Sequence, residues 1–151
     1  MTQEDKELLL KDLNARLPYG VYVEHTTTKI RGKLKGIVFE HIYNDTNSIQ
    51  DINAWVMFFG DEYVDATYFR PFLRPMSSMT EEECDIVEEI LGDKCIFDFM
   101  SNGDIVLKQG QFSQNKLAKL YDYYNSIYVD YRGLIKKGLA IEVTEENNPY
   151  E

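Results

Sequence analysis

Apolar residues recur at two periods along this chain, and the changes of period mark out its elements. Leu9, Leu10, Leu13 and Leu17 return at spacings of three and four, while Glu4, Asp5, Glu7 and Lys11 fall largely elsewhere. Residues 2–17 are therefore expected to form an amphipathic helix. Thr2 can cap it, acids stand in its first turn where the helix dipole favours them, and Pro18-Tyr19-Gly20 ends it. Val21 and Val23 then alternate with Tyr22 and Glu24, the mark of a short strand, and Thr26-Thr27-Thr28 is polar enough to turn the chain. Next comes the clearest period-two pattern. Lys29, Arg31, Lys33 and Lys35 face one way, and Ile30, Gly32, Leu34 and Gly36 the other. Ile37, Val38 and Phe39 follow, apolar on both faces, so this strand runs from a solvated end into a buried one. Its inward glycines allow it to bend as a curved sheet or small barrel requires.

Asn44 to Asp51 reads as a polar loop, and Ile52 to Phe59 as a central strand with Trp55 and Phe58 its largest bodies. Gly60-Asp61 turns the chain into an alternating strand from Tyr63 to Phe69. Pro71 and Pro75 fix φ and withhold two backbone donors, so Pro71 to Thr80 is expected to be a connector that continues neither strand nor helix. Thr80 and Glu83 form a capping box at the start of a helix from Glu81 to Leu91, whose inner stripe is Cys84, Ile86, Val87, Ile90 and Leu91 and whose stop is Gly92.

Residues 95–100 and 104–108 suggest a hairpin around Asn102-Gly103. Ser113 can cap a second long helix, with Phe112 stapled on Leu117 and with Leu117, Leu120, Tyr121, Tyr124, Ile127 and Tyr128 buried. Tyr131 to Ile141 is an irregular apolar return. These elements predict an α+β fold: an N-terminal helix, an antiparallel β meander or small SH3-like barrel, and two further helices flanking a β-hairpin. Residues 1–143 are expected to form a single domain, and residues 144–151 a disordered acidic tail.

Charge changes this picture only locally. The net charge is −10. Glu81, Glu82, Glu83, Asp85, Glu88 and Glu89 stand on one helix, and Glu142, Glu145, Glu146 and Glu151 in the tail. Without those ten, 16 acids face 16 bases, so the body is balanced. The longest apolar run, Ala54 to Phe59, is far short of the roughly 20 residues of a membrane helix. The acidic N-terminus lacks the basic and apolar regions of a secretory signal, which makes a cytoplasmic protein the expectation. Cys84 and Cys95 match neither a disulfide framework nor a zinc spacing and read as buried thiols.

Three phrases, KDLNARLPYGV, PFLRPMSSMTEEE and VDYRGLIKKGLAIEV, resemble an uncharacterised family of small proteins from gut Bacteroidetes genomes and their phages or mobile elements. The resemblance spans most of the chain, with Thr26 to Phe69 and the hairpin region less anchored. It brings no activity, cofactor or catalytic residue with it. What it implies is a cytoplasmic accessory protein, with a phage or mobile element as one origin.

Two surfaces are candidates for binding. Lys29, Arg31, Lys33 and Lys35, joined by Arg70 and Arg74, form a basic stripe that could hold phosphates, with Tyr22 and Tyr43 near enough to stack on bases. The plainer account is a solvated or edge strand whose lysines block edge pairing or meet acids on a neighbour. The acidic helix face of Glu81, Glu82, Asp85, Glu88 and Glu89 could dock a basic protein, or simply be a solvated face stabilised by the helix dipole. Late tyrosines, among them Tyr123 off the apolar stripe, could line a groove. His25 and His41 would need a third ligand to hold a metal, and Ser77 and Ser78 lack a nucleophile elbow. No phosphate-loop, dinucleotide, zincin or EF-hand motif occurs, so no catalytic residue, metal or cofactor is expected. The function expected is that of a non-catalytic binding or adaptor protein with an unknown protein partner and no membrane. The alternative is a nucleic-acid-binding accessory protein using the basic strand face.

Overall fold

Capping at both ends fixes the first helix. In the computed structural model, which describes residues 1–43, 46, 49–57, 63–92, 97–99, 105–107 and 114–151, helix α1 spans Gln3–Arg16, and the Thr2 hydroxyl accepts from the Asp5 amide at 3.1 Å. Pro18 tightens the exit into a 3₁₀ turn, Leu17–Tyr19, closed by Gly20 at φ 69°, a conformation glycine adopts without strain. The described residues form an α+β structure with three α-helices and antiparallel sheets, and among them no closed barrel forms. The chain divides into two compact units, Met1–Phe72 with Pro149–Glu151, and Leu73–Asn148.

In the first unit, strands β1 (Tyr22–His25) and β2 (Arg31–Lys33) form a hairpin across the threonine turn. The long alternating run does not continue as one strand. It breaks at Leu34, whose side chain is buried and whose amide donates to the Val21 carbonyl at 2.8 Å. The chain then enters a different sheet as β3 (Gly36–Tyr43), which pairs with β4 (Ile49–Met57), which in turn pairs with β5 (Val64–Asp65). The expected bend is thus a change of sheet. Among the described residues, Leu9, Leu13, Val21, Val23, Leu34, Ala54, Ala66, Phe69 and Phe72 are buried apolar side chains of this unit. Each full burial of a leucine or phenylalanine is worth roughly 1.5–3 kcal/mol.

Strand β6 (Phe69–Leu73) corrects the expectation that Pro71 ends pairing. Pro71 stands opposite Val23 in the ladder with β1. The Thr26 amide donates to the Tyr68 carbonyl at 2.8 Å. By antiparallel alternation the hydrogen-bonded rungs are therefore 26/68 and 24/70, and 23/71 is a non-bonded rung. The absent N–H of Pro71 points away from β1, where it removes nothing from that ladder.

The second unit is built on two helices. Helix α2 (Glu81–Leu91) starts with both bonds of the expected capping box, Glu83 amide to Thr80 hydroxyl at 3.2 Å and Thr80 amide to Glu83 carboxylate at 2.9 Å. At its far end Gly92 takes φ 65°, and the Lys116 ammonium donates to the Leu91 carbonyl at 2.9 Å, a cation at a helix C-terminus. Helix α3 (Gln114–Ser126) packs Leu120 and Tyr124 with Val87, Leu91, Met76 and Val129. Two side chains differ from the expected stripes: Ile86 is 39% exposed and Tyr121 is exposed. Tyr123, expected off the stripe, packs partly buried against the core.

Helix α3 ends earlier than its apolar pattern suggests. Tyr128 adopts φ 60°, its amide donates to Asn125, and the Val129 amide donates to Tyr124. This is a Schellman closure with a tyrosine where glycine is usual, and buried Val129 packs in the same cluster as Tyr124. Asp130 then accepts from the Leu134 and Ile135 amides at 2.9 and 2.8 Å, which orders the apolar return. Strands β7 (Phe97–Phe99) and β8 (Ile105–Leu107) pair antiparallel. The expected Asn102-Gly103 turn and Ser113 cap lie outside the described residues. In β9 (Ile141–Glu142) the chain returns, and the Val143 amide donates to the Leu73 carbonyl at 2.8 Å. Residues 144–148, expected to be disordered, carry a turn in which Asn147 accepts from the Thr144 amide and donates to the Glu142 carbonyl.

Candidate functional site

The basic stripe begins on a strand whose neighbour carries an acid. Glu24 on β1 stands opposite Arg31 on β2, in a non-hydrogen-bonded rung where side chains approach closely. The Arg31 Nε donates to Glu24 Oε2 at 2.8 Å, and the Lys29 Nζ lies 3.4 Å from the other oxygen. The Glu24 side chain is 8% exposed against 50% for Arg31. Two stripe cations therefore converge on one nearly buried carboxylate. The Arg31 guanidinium also lies 5.0 Å over the Phe72 ring, and the Lys33 ammonium 5.7 Å over its cross-strand neighbour Tyr22. Lys35 is exposed and makes no ion pair among the described residues.

The two arginines added to the stripe are also occupied. Arg70 donates to the Thr67 and Phe69 carbonyls at 2.9 and 2.8 Å, capping the 3₁₀ turn Ala66–Tyr68, and burial lowers its pKa. Arg74, in the second unit, gives Glu83 a two-pronged bond of 2.7 and 2.9 Å and reaches the Ser78 hydroxyl and carbonyl and the Ile127 carbonyl. The bond to Glu83 outweighs desolvation and raises the Arg74 pKa, and the same bond lowers that of Glu83. Arg70 lies in the same cross-strand row as Glu24 and Arg31, one strand further across the sheet, whereas Arg74 belongs to the second unit.

The acidic helix has the opposite character. Glu81, Glu82, Asp85, Glu88 and Glu89 are all exposed, and among the described residues none of them is in an ion pair. At helical spacing they cover the side of α2 opposite Val87 and Leu91, with Ile86 at its margin. Glu83, on the inner side, is paired with Arg74. Burial raises the Cys84 pKa, and the charges of Glu83, Asp85, Glu88 and Glu81 raise it further. Burial likewise raises Tyr123, with a further contribution from Glu83, and raises Tyr124.

Among the other candidates, His25 and His41 lie on strands of different sheets. The His25 Nδ1 accepts from the Thr27 and Thr28 amides at 3.2 Å each and its ring stacks on Tyr68, so it organises the hairpin turn in which Lys29 takes φ 60°. Among the described residues no group of His, Cys, Asp or Glu is placed to hold a metal, and no helix is long and apolar enough to cross a membrane. Ser78 donates to the Pro75 carbonyl and receives Arg74, a turn role. The late tyrosines form a stack, Tyr121 on Tyr131 at 5.2 Å, with the Arg132 guanidinium 4.5 Å from the Tyr131 ring.

Three charged residues with structural roles, one at the stripe and two in the core, carry no local sequence signal of a site. Glu24 gathers the stripe cations, and its signal is the hairpin register itself, which sets it opposite Arg31. Asp12 and Arg16 form a fully buried ion pair at 2.8 Å, detectable as an i, i+4 pair on the first helix. A scan against protein-family models and searches of curated proteins and solved structures found no match to this chain.

Proposed function

We propose that this chain is a cytoplasmic, non-catalytic binding or adaptor protein that docks a cationic segment of a partner protein on the outer face of α2. One contrast carries the reading. Four of the six candidate phosphate ligands already hold protein groups, Arg31 and Lys29 on Glu24, Arg70 on backbone carbonyls and Arg74 on Glu83, whereas five carboxylates of α2 are exposed and meet no cation among the described residues. An interface surface left unpaired on a chain of net charge −10 attracts basic partners and repels nucleic acid at long range. An accessory role of the kind implied by the resemblance to phage and mobile-element proteins is consistent with such a docking surface.

The test is affinity capture from host lysate, with and without nuclease, comparing the wild type with Lys33→Glu/Lys35→Glu. These two lysines are chosen because neither is part of the Glu24 cluster. A nuclease-resistant protein retained by the double variant supports the reading. Recovery lost with nuclease and in that variant moves the function to nucleic-acid binding by the strand face.

A further inference from the structure

The ladder between β1 and β6 stops one rung early, and a side chain closes it. Its register runs from His25 opposite Phe69 to Val23 opposite Pro71. The next rung, Tyr22 opposite Phe72, falls in the hydrogen-bonded class by alternation from 26/68 and 24/70. In place of that rung's bond from the Tyr22 amide to the Phe72 carbonyl, the Tyr150 hydroxyl accepts from the Tyr22 amide at 3.4 Å and donates to the Phe72 carbonyl at 2.7 Å. The Tyr150 ring meets the Tyr22 ring at a right angle, with centroids 5.7 Å apart, and both tyrosines are partly buried.

The open rung is selective for one kind of group. It presents one fixed donor and one fixed acceptor beside an aromatic face, and a phenol, which accepts and donates through a single oxygen, satisfies both. A phenylalanine would leave the amide and the carbonyl unpaired, at a cost comparable to a lost hydrogen bond for each. We infer that the Tyr22–Phe72 rung is a tyrosine-recognition site, filled in cis by Tyr150 and able to take a Pro-Tyr segment of another chain when Tyr150 is displaced. Tethering sets the cis segment at an effective concentration on the order of millimolar, so it outcompetes dilute segments in trans. The site lies in the first unit and is independent of the α2 reading.

The experiment uses the full-length chain carrying Tyr150→Ala, isotopically labelled and titrated with the peptide Asn-Asn-Pro-Tyr-Glu. A saturable shift of the Tyr22 amide is expected, at least tenfold larger than in wild type at the same peptide concentration and at least tenfold weaker in affinity with phenylalanine in the peptide. No saturable response at Tyr22 in the folded variant, or an equal response to the phenylalanine peptide, overturns the proposal. If Tyr150→Ala does not fold, Tyr150→Phe provides the second reading. Tyr22 amide exchange with solvent should then rise at least tenfold over wild type, and unchanged exchange counts against a rung closed by the hydroxyl.

Discussion

Arg74 and Glu83 hold each other by two parallel bonds of 2.7 and 2.9 Å, and Glu83 Oε2 at the same time accepts the Thr80 amide that caps α2. One arginine thus ties the segment after β6 to a helix start, and through Ile127 to the end of α3. Arg74→Ala is expected to destabilise the second unit by about 2–3 kcal/mol, because it strips a part-buried carboxylate of its partner. Arg74→Lys should recover less than half of that, since an ammonium cannot reproduce the planar fork. Urea unfolding followed through the tyrosine signal measures both.

The same pair sets a dependence on pH. The folded-state pKa of Glu83 is lowered, chiefly by its bond to Arg74, so the unfolded chain binds more protons at mildly acidic pH and stability rises with pH there. The Glu83 contribution is complete above the ordinary carboxylate pKa and disappears as pH falls through the lower folded value. Arg74 is raised from an already basic value and stays charged throughout. The melting temperature of wild type should exceed that of Glu83→Gln at pH 7, and the two should converge toward pH 3.

Cys84 should be a slow thiol. Burial and the carboxylates of α2 raise its pKa, so at pH 7.5 its thiolate fraction falls below that of a free cysteine. Labelling with a disulfide reagent, with Cys84 modification read by peptide mass, should run several-fold slower than for glutathione and should accelerate when Asp85 and Glu88 are changed to Gln.

Tyr128 occupies the left-handed position of a helix closure, where a side chain costs roughly 1 kcal/mol relative to glycine. Tyr128→Val should destabilise the second unit by about 1–2 kcal/mol more than Tyr128→Asn, because a β-branched residue tolerates positive φ least. Chemical denaturation of the two variants decides the order.

How much of this was legible follows from the range of the interactions involved. The Thr2 and Thr80 caps, the α1 stripe and the β1–β2 alternation depend on residues a few positions apart, and the chain shows them directly. Pro71 misled because a proline excludes pairing on only one side of a strand, and which side depends on a partner 48 residues away. Arg70 and Arg74 read as free cations for the same reason: the carbonyls and the carboxylate that occupy them are fixed by the fold. Tyr150 bridges to Tyr22 across 128 positions, and no local pattern announces such a contact.

Docking on α2 depends on where the exposed charge stands, and equal changes of charge at two places test it. Glu81, Glu82, Asp85, Glu88 and Glu89 are changed together to Gln or Asn, and compared with a control that changes the exposed Glu4, Glu7, Glu142, Glu145 and Glu146 to Gln. Both variants lose the same formal charge. Nuclease-treated capture of the same protein partner should fall at least tenfold for the α2 variant and less than twofold for the control. Equal retention by both, or equal loss, would contradict a docking site on α2.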